Sequence, residues 1–156
     1  MRTKSRRVGC WALAALLAAA IVPLPASALF RLDFNGHVKQ DPDSYVGFNL
    51  KRTPTGKRKV TFFTTRGIQF ACAGGSTGRT EFLTLDGSFR VEHRRFEADV
   101  HTFTPLGDPV AHVHGKLHRD HRVADGTIRL AGKLDPSQPD VRCNTGTQEW
   151  RATTDG

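Results

Sequence analysis

The sequence predicts an all-β domain, an antiparallel meander forming a β-barrel or a two-sheet β-sandwich and closed by one disulfide. Three observations predict it. Apolar and polar residues alternate with period 2 along most of residues 31–152, no window longer than about ten residues carries a helical period, and Gly, Pro and Asp recur between the alternating runs as turn formers.

Taken in order, Leu32, Phe34 and Val38 alternate with Arg31, Asp33, Asn35, His37 and Lys39, and Val46, Phe48 and Leu50 do the same against Tyr45, Asn49 and Lys51. Val60 and Phe62 form the next run, followed by Ile68, Phe70 and Cys72, then Phe82, Leu83 and Leu85, then Phe89 and Val91. This phase assigns Phe62 and Phe82 to the core and leaves Phe63 outside it. The second half continues with Phe96, Ala98 and Val100, with Ala111, Val113 and Leu117, with Ile128, Leu130 and Leu134, and ends on Trp150 and Ala152. Asp41-Pro42-Asp43, Pro54-Thr55-Gly56, Gly74-Gly75, Asp86-Gly87, Pro105-Leu106-Gly107, Asp125-Gly126 and Pro136 through Pro139 read as the turns between them.

Residues 1–28 stand apart. A basic start at Arg2, Lys4, Arg6 and Arg7 precedes an apolar run from Trp11 to Val22, and Ala26-Ser27-Ala28 fits the small-x-small cleavage rule. The apolar run is about 12 residues, whereas spanning a bilayer takes roughly 20. The reading is a cleavable signal over 1–28 and a single all-β domain over 29–156, secreted or periplasmic, with no transmembrane segment after cleavage. Four of the 23 Lys and Arg leave with the signal and none of the 15 acids does, so the formal charge falls from +8 to +4. Of three cysteines, Cys10 leaves too, and Cys72 and Cys143 are an even pair in an oxidising compartment, which predicts a disulfide between them.

The strand ending in Cys72, the Gly-rich turn after it, Gly87-x-Phe89-x-Val91, Val113-x-Gly115-x-Leu117, Asp125-Gly126-Thr127-Ile128-Arg129, and Cys143-x-Thr145-Gly146 leading to Trp150-x-Ala152 span most of the mature chain. In this layout the chain resembles a loose group of small exported bacterial all-β proteins with one disulfide. The resemblance implies the fold and the bridge. That group has no assigned activity, so no catalytic residue is carried over.

Histidine is the first feature with chemistry in it: His101, His112, His114, His118 and His121 fall within 21 residues. Pairing Val100 with Val113 in a hairpin sets His101 opposite His112, Asp99 opposite His114 and Glu97 opposite Lys116, with opposed Cβ atoms about 5 Å apart. His101, His112, His114 and Asp99 then form a candidate metal face for Zn or Cu, since His-x-His on a strand presents two imidazoles on one side. The alternative is a solvated polar strand face with no cofactor.

Basic clusters are the second feature. Arg90, Arg94 and Arg95 lie near the end of one strand, close in the expected pairing to His118, Arg119, His121 and Arg122. Arg94, Arg95, Arg119 and Arg122 are the candidate anion site, while Lys51, Arg52, Lys57, Arg58 and Lys59 flank a separate turn. An anionic polymer or a small ligand is the partner this suggests. Nucleic acid is excluded because too few aromatics lie outside the core to make a stacking platform. Gly74-Gly75-Ser76-Thr77-Gly78 matches G-x-S-x-G, but a nucleophile elbow needs a helix behind it, and a strand follows instead. Glu97 and Asp99 read as cross-strand charge partners rather than paired acids. The functional expectation is a secreted, non-catalytic β-domain that binds or serves structurally outside the membrane. Its alternatives are an anion-binding surface module and a metal-binding protein, and a barrel interior could hold a small apolar ligand.

Overall fold

The computed structural model describes residues 30–102 and 109–154. The signal read over 1–28 and the Pro105-Leu106-Gly107 turn lie outside them. Eleven antiparallel strands and no helix make up the described residues: β1 Arg31–Val38, β2 Asp41–Arg52, β3 Arg58–Arg66, β4 Gln69–Cys72, β5 Thr77–Arg79, β6 Leu83–Val91, β7 Arg95–His101, β8 Val110–Leu117, β9 Val123–Gly132, β10 Cys143–Asn144 and β11 Gln148–Thr154.

The long strands run side by side in the order β7-β8-β9-β11-β1-β2-β3-β6. The two outermost, β6 and β7, follow each other in the chain and share a single bridge, Glu92–Arg95. The hydrogen-bonded ladder is therefore not closed. The far end of β9 pairs instead with β10, which carries β4 and then β5. There Cys72 and Cys143 stand directly opposite each other and form the disulfide, across 71 residues of chain.

Aromatic rings fill the core. Phe34 stacks on Phe48 with centroids 4.5 Å apart, Phe63 stacks on the other side at 5.7 Å, and Trp150 meets Phe48 and Phe63 edge-on at 5.8 Å. Phe96 lies 5.6 Å from Phe48. The centre that would have held a small apolar ligand is thus occupied by side chains, each burying some 150–250 Å².

Rings of this size are accommodated by glycines across the strand. Phe96 pairs with Gly115, where a Cβ would lie 2.1 Å from the Phe96 ring, and Trp150 pairs with Gly126, where it would lie 2.4 Å from the indole. This overturns the expected turn at Asp125-Gly126, which lies inside β9: its glycine makes room for an aromatic neighbour, as strand glycines often do. The expected turn at Asp86-Gly87 likewise lies inside β6.

The assignment of Phe62 to the core and Phe63 to the surface is also reversed. Phe62 has φ 52° and is 59% exposed, whereas Phe63 is fully buried. The pairing of β3 with β6 shifts between Thr61 and Phe63, a bulge that moves every later side chain of β3 to the other face. Phe82, also expected inside, is 61% exposed in the connection before β6.

Candidate functional site

The histidine hairpin forms, but its register is two residues from the expected one. Val100 pairs with Ala111, which sets Asp99 opposite His112, Glu97 opposite His114 and His101 opposite Val110. The reason is Phe96, whose ring requires Gly115 across from it; the expected register would have put Leu117 there. Thr102 fastens the other end, its amide and hydroxyl donating to the Pro109 carbonyl at 2.9 and 3.1 Å.

Among the described residues of this face the one side-chain hydrogen bond is His112 Nδ1 to Asp99 Oδ1 at 2.5 Å. Glu97, Asp99, His112, His114, Thr127 and Arg129 line an open groove of about 320 Å³. His101 is exposed and opposite an apolar residue, so it does not join His112. Among the described residues no three His, Cys, Asp or Glu side chains are grouped to hold a metal ion. Farther along, His118 Nε2 lies 2.5 Å from Asp125 Oδ2, and Arg151 approaches the other carboxylate oxygen at 3.7 Å. Charges on β7, β8, β9 and β11 are thus largely matched across strands.

Ser76 sits in the turn between β4 and β5, with strand on both sides. Its carbonyl accepts from the Cys72 amide at 2.9 Å.

The second candidate assembles differently from its sequence reading. Three hairpin ends point the same way: β2–β3 (51–59), β6–β7 (90–95) and β8–β9 (118–122). Together these segments carry ten Lys and Arg against two acids, Glu92 and Asp120. Arg58 pairs with Val91, and the Arg94 carbonyl accepts from the Leu117 amide at 2.8 Å, which brings the three ends together. Arg58 shares the alternation of the buried Val60 and stands on the core-facing side of β3, at the end of the strand.

His121 lies among them, partly buried, with an Nδ1 that is out of water and makes no hydrogen bond. Burial, first of all, holds its imidazole below the ordinary 6.5, and the guanidiniums of Arg58 and Arg94 add to this; Asp120 and the backbone of His118 act in the opposite sense and less. Of the four arginines expected here, Arg94 converges on His121. Arg95 stands opposite Lys116 on β8, and Arg119 and Arg122 are exposed on the turn that carries His121. Arg58, placed by the sequence in a separate set, completes the group. Neither Arg58 nor Arg94 has a carboxylate partner among the described residues.

The backbone here is unusual as well. His93 (φ 47°), Arg94 (φ 65°) and His121 (φ 57°) all adopt left-handed conformations. Glu92 and Arg95 exchange both backbone hydrogen bonds, at 2.9 and 2.7 Å, so His93-Arg94 is a two-residue hairpin turn of the kind that favours Asn-Gly.

Comparison of the chain with protein-family models, with curated proteins and with solved structures returned no match. The chemistry of the site rests on its own residues. No helix among the described residues is long and apolar enough to cross a membrane, and the disulfide suggests an oxidising, extracytoplasmic environment.

Proposed function

We propose that this is an exported, non-catalytic anion-binding protein whose strands curl into a barrel-like frame, with Arg58, Arg94 and His121 at its mouth as the binding group. The observation that carries this reading is the convergence, from three separate hairpins, of two arginines without carboxylate partners on one partly buried imidazole. Arg58 and Arg94 are half-buried, and like charges brought together without a counter-charge repel each other. An anion of one or two charges relieves that repulsion: guanidinium forks bind carboxylate, sulfate or phosphate oxygens in pairs, and a protonated His121 adds a third donor. Left-handed His93, Arg94 and His121 support the reading, because strained backbone retained at side-chain-bearing residues clusters at working sites.

The test is titration of the mature protein with sulfate and phosphate at low ionic strength, followed by calorimetry and by the His121 ring resonances. The expected result is saturable binding that shifts His121 and is lost in Arg58→Ala, Arg94→Ala. A His121 signal that stays put at saturating anion, or binding unchanged in that variant, would remove the proposal.

A further inference from the structure

The outer side of the same end carries a second arrangement, separate from the mouth. Arg31 pairs directly with Lys51, Lys51 with Lys59, and Lys59 with Arg90, so four cations stand in one row across β1, β2, β3 and β6. Like charges directly opposite each other destabilise a sheet, and cross-strand positions usually pair opposite signs. This sheet does so elsewhere: Asp99 faces His112, Glu97 faces His114, and Asp125 stands between Lys116 and Arg151. Like pairs occur singly at Arg95–Lys116 and Arg52–Arg58, but the row on β1, β2, β3 and β6 is the one place among the described residues where they run on across four strands.

Its two ends are partly neutralised. Arg31 Nε lies 2.8 Å from Asp33 and Arg90 Nε 2.9 Å from Glu92, both exposed pairs of small worth. Lys51 and Lys59, in the middle, have no carboxylate partner among the described residues; the Lys51 ammonium instead lies 5.3 Å from the centroid of the exposed Phe62 ring. The bulge that turns Phe62 outward therefore places an aromatic surface beside the centre of the row.

We propose that this row is a track for a linear acidic polysaccharide, with Arg31, Lys51, Lys59 and Arg90 meeting successive carboxylate or sulfate groups and Phe62 meeting the apolar face of a sugar ring. Strands about 4.8 Å apart give the four cations a span of roughly 14 Å, which a chain charged at every sugar crosses with several contacts at once. Two lysines at the centre suit this ligand, since an ammonium is a point charge that accepts acidic groups in many orientations. Among the described residues only the Phe62 ring is seen against a cation of the row, which argues against a single-stranded nucleic acid, whose sequence-tolerant binding relies on a succession of stacked bases. The inference shares with the proposed function its preference for anions, but uses different residues.

The test compares galacturonic acid with its tetramer, using the mature protein and a Lys51→Gln, Lys59→Gln variant, by calorimetry at low salt. The tetramer is expected to bind on the order of a hundredfold more tightly than the monosaccharide, and the variant to lose that gain. Because the substitution removes repulsion, the variant should also be at least as stable as the parent, so lost binding would not be a folding defect. Affinity that does not depend on chain length, a gain unaffected by the substitutions, or tighter binding of a single-stranded oligonucleotide of equal charge would overturn the track. The sulfate-induced shift of His121 is read in the same samples. If it persists while the length dependence is absent, the track fails and the mouth site stands; if it is absent while the length dependence holds, the mouth site fails and the track stands.

Discussion

The two ends of the molecule solve opposite problems. At one end β4, β5 and β10 are clipped to the sheet by Cys72–Cys143, and Arg79 grips both oxygens of Asp41 at 2.9–3.2 Å while donating to the Gly67 carbonyl at 2.8 Å. Its left-handed positions are glycines, Gly67, Gly74, Gly75, Gly132 and Gly146. At the other end no covalent clip is present and Arg58 and Arg94 have no carboxylate partner among the described residues, and left-handed positions are held by His93, Arg94 and His121 as well as by Gly56. The first end follows the rules for stability. The second departs from them at the residues whose side chains would meet a ligand, which is where local rules are expected to give way to function.

Breaking the clip gives the largest effect. A Cys72→Ser, Cys143→Ser variant should lose about 2–5 kcal/mol of unfolding free energy by denaturant titration, while sulfate binding at the mouth persists. If binding fell in step with stability in the folded protein, the two ends would not be independent.

The next effect falls on function alone. Charged hydrogen bonds contribute about 1.5–3 kcal/mol each, so Arg58→Ala or Arg94→Ala singly should weaken sulfate binding by about tenfold or more, measured by calorimetry. Their stability should stay within about 0.5 kcal/mol of the parent, since neither guanidinium has a carboxylate to lose. A drop in stability larger than the drop in affinity would mark these arginines as structural.

Most of the clipped end was legible from the sequence: two cysteines left after the expected signal, a Gly-rich turn after Cys72, strands on either side. The strands of the body were legible too, because alternation reports burial directly. What escaped is whatever depends on pairing. The register of β7 with β8 turns on Phe96 needing Gly115, and the phase of β3 turns on one bulge at Phe62, neither of which alternation reveals. The mouth escaped for a related reason. Arg58 meets Arg94 and His121 only because β3 pairs with β6, a contact between strands separated by β4 and β5, so its arginine read as part of a different turn. The aromatic–glycine pairs were the available signal: Phe96 with Gly115 and Trp150 with Gly126 are spaced so that each ring has one glycine to lie on.

A smaller effect sharpens the contrast by giving the basic end the turn chemistry of the other. Replacing His93-Arg94 with Asn-Gly supplies the pair that a two-residue hairpin at positive φ favours. Stability should rise by about 1 kcal/mol, seen as a higher denaturation midpoint, while sulfate affinity falls because Arg94 is gone. An unchanged midpoint would mean that the left-handed conformation costs these residues little.

The smallest effect is a dependence on pH. His121 is held below 6.5 by burial and by Arg58 and Arg94, with Asp120 opposing them, so in this range the unfolded chain binds the proton more readily than the folded one. The contribution of His121 to stability is therefore complete above about pH 6.5 and is lost as pH falls through its lower folded value. A bound anion reverses the balance by favouring imidazolium, and linkage then requires affinity to rise over the same interval in which unliganded stability declines. Nuclear magnetic resonance titration of His121 with and without sulfate tests both statements, because the anion should move its midpoint upward. His121→Gln should keep the binding set by Arg58 and Arg94 while removing its rise below pH 6.5. If that rise survived the substitution, the proton would reside on another group, with His118 and His93 in the adjoining turns the first to examine.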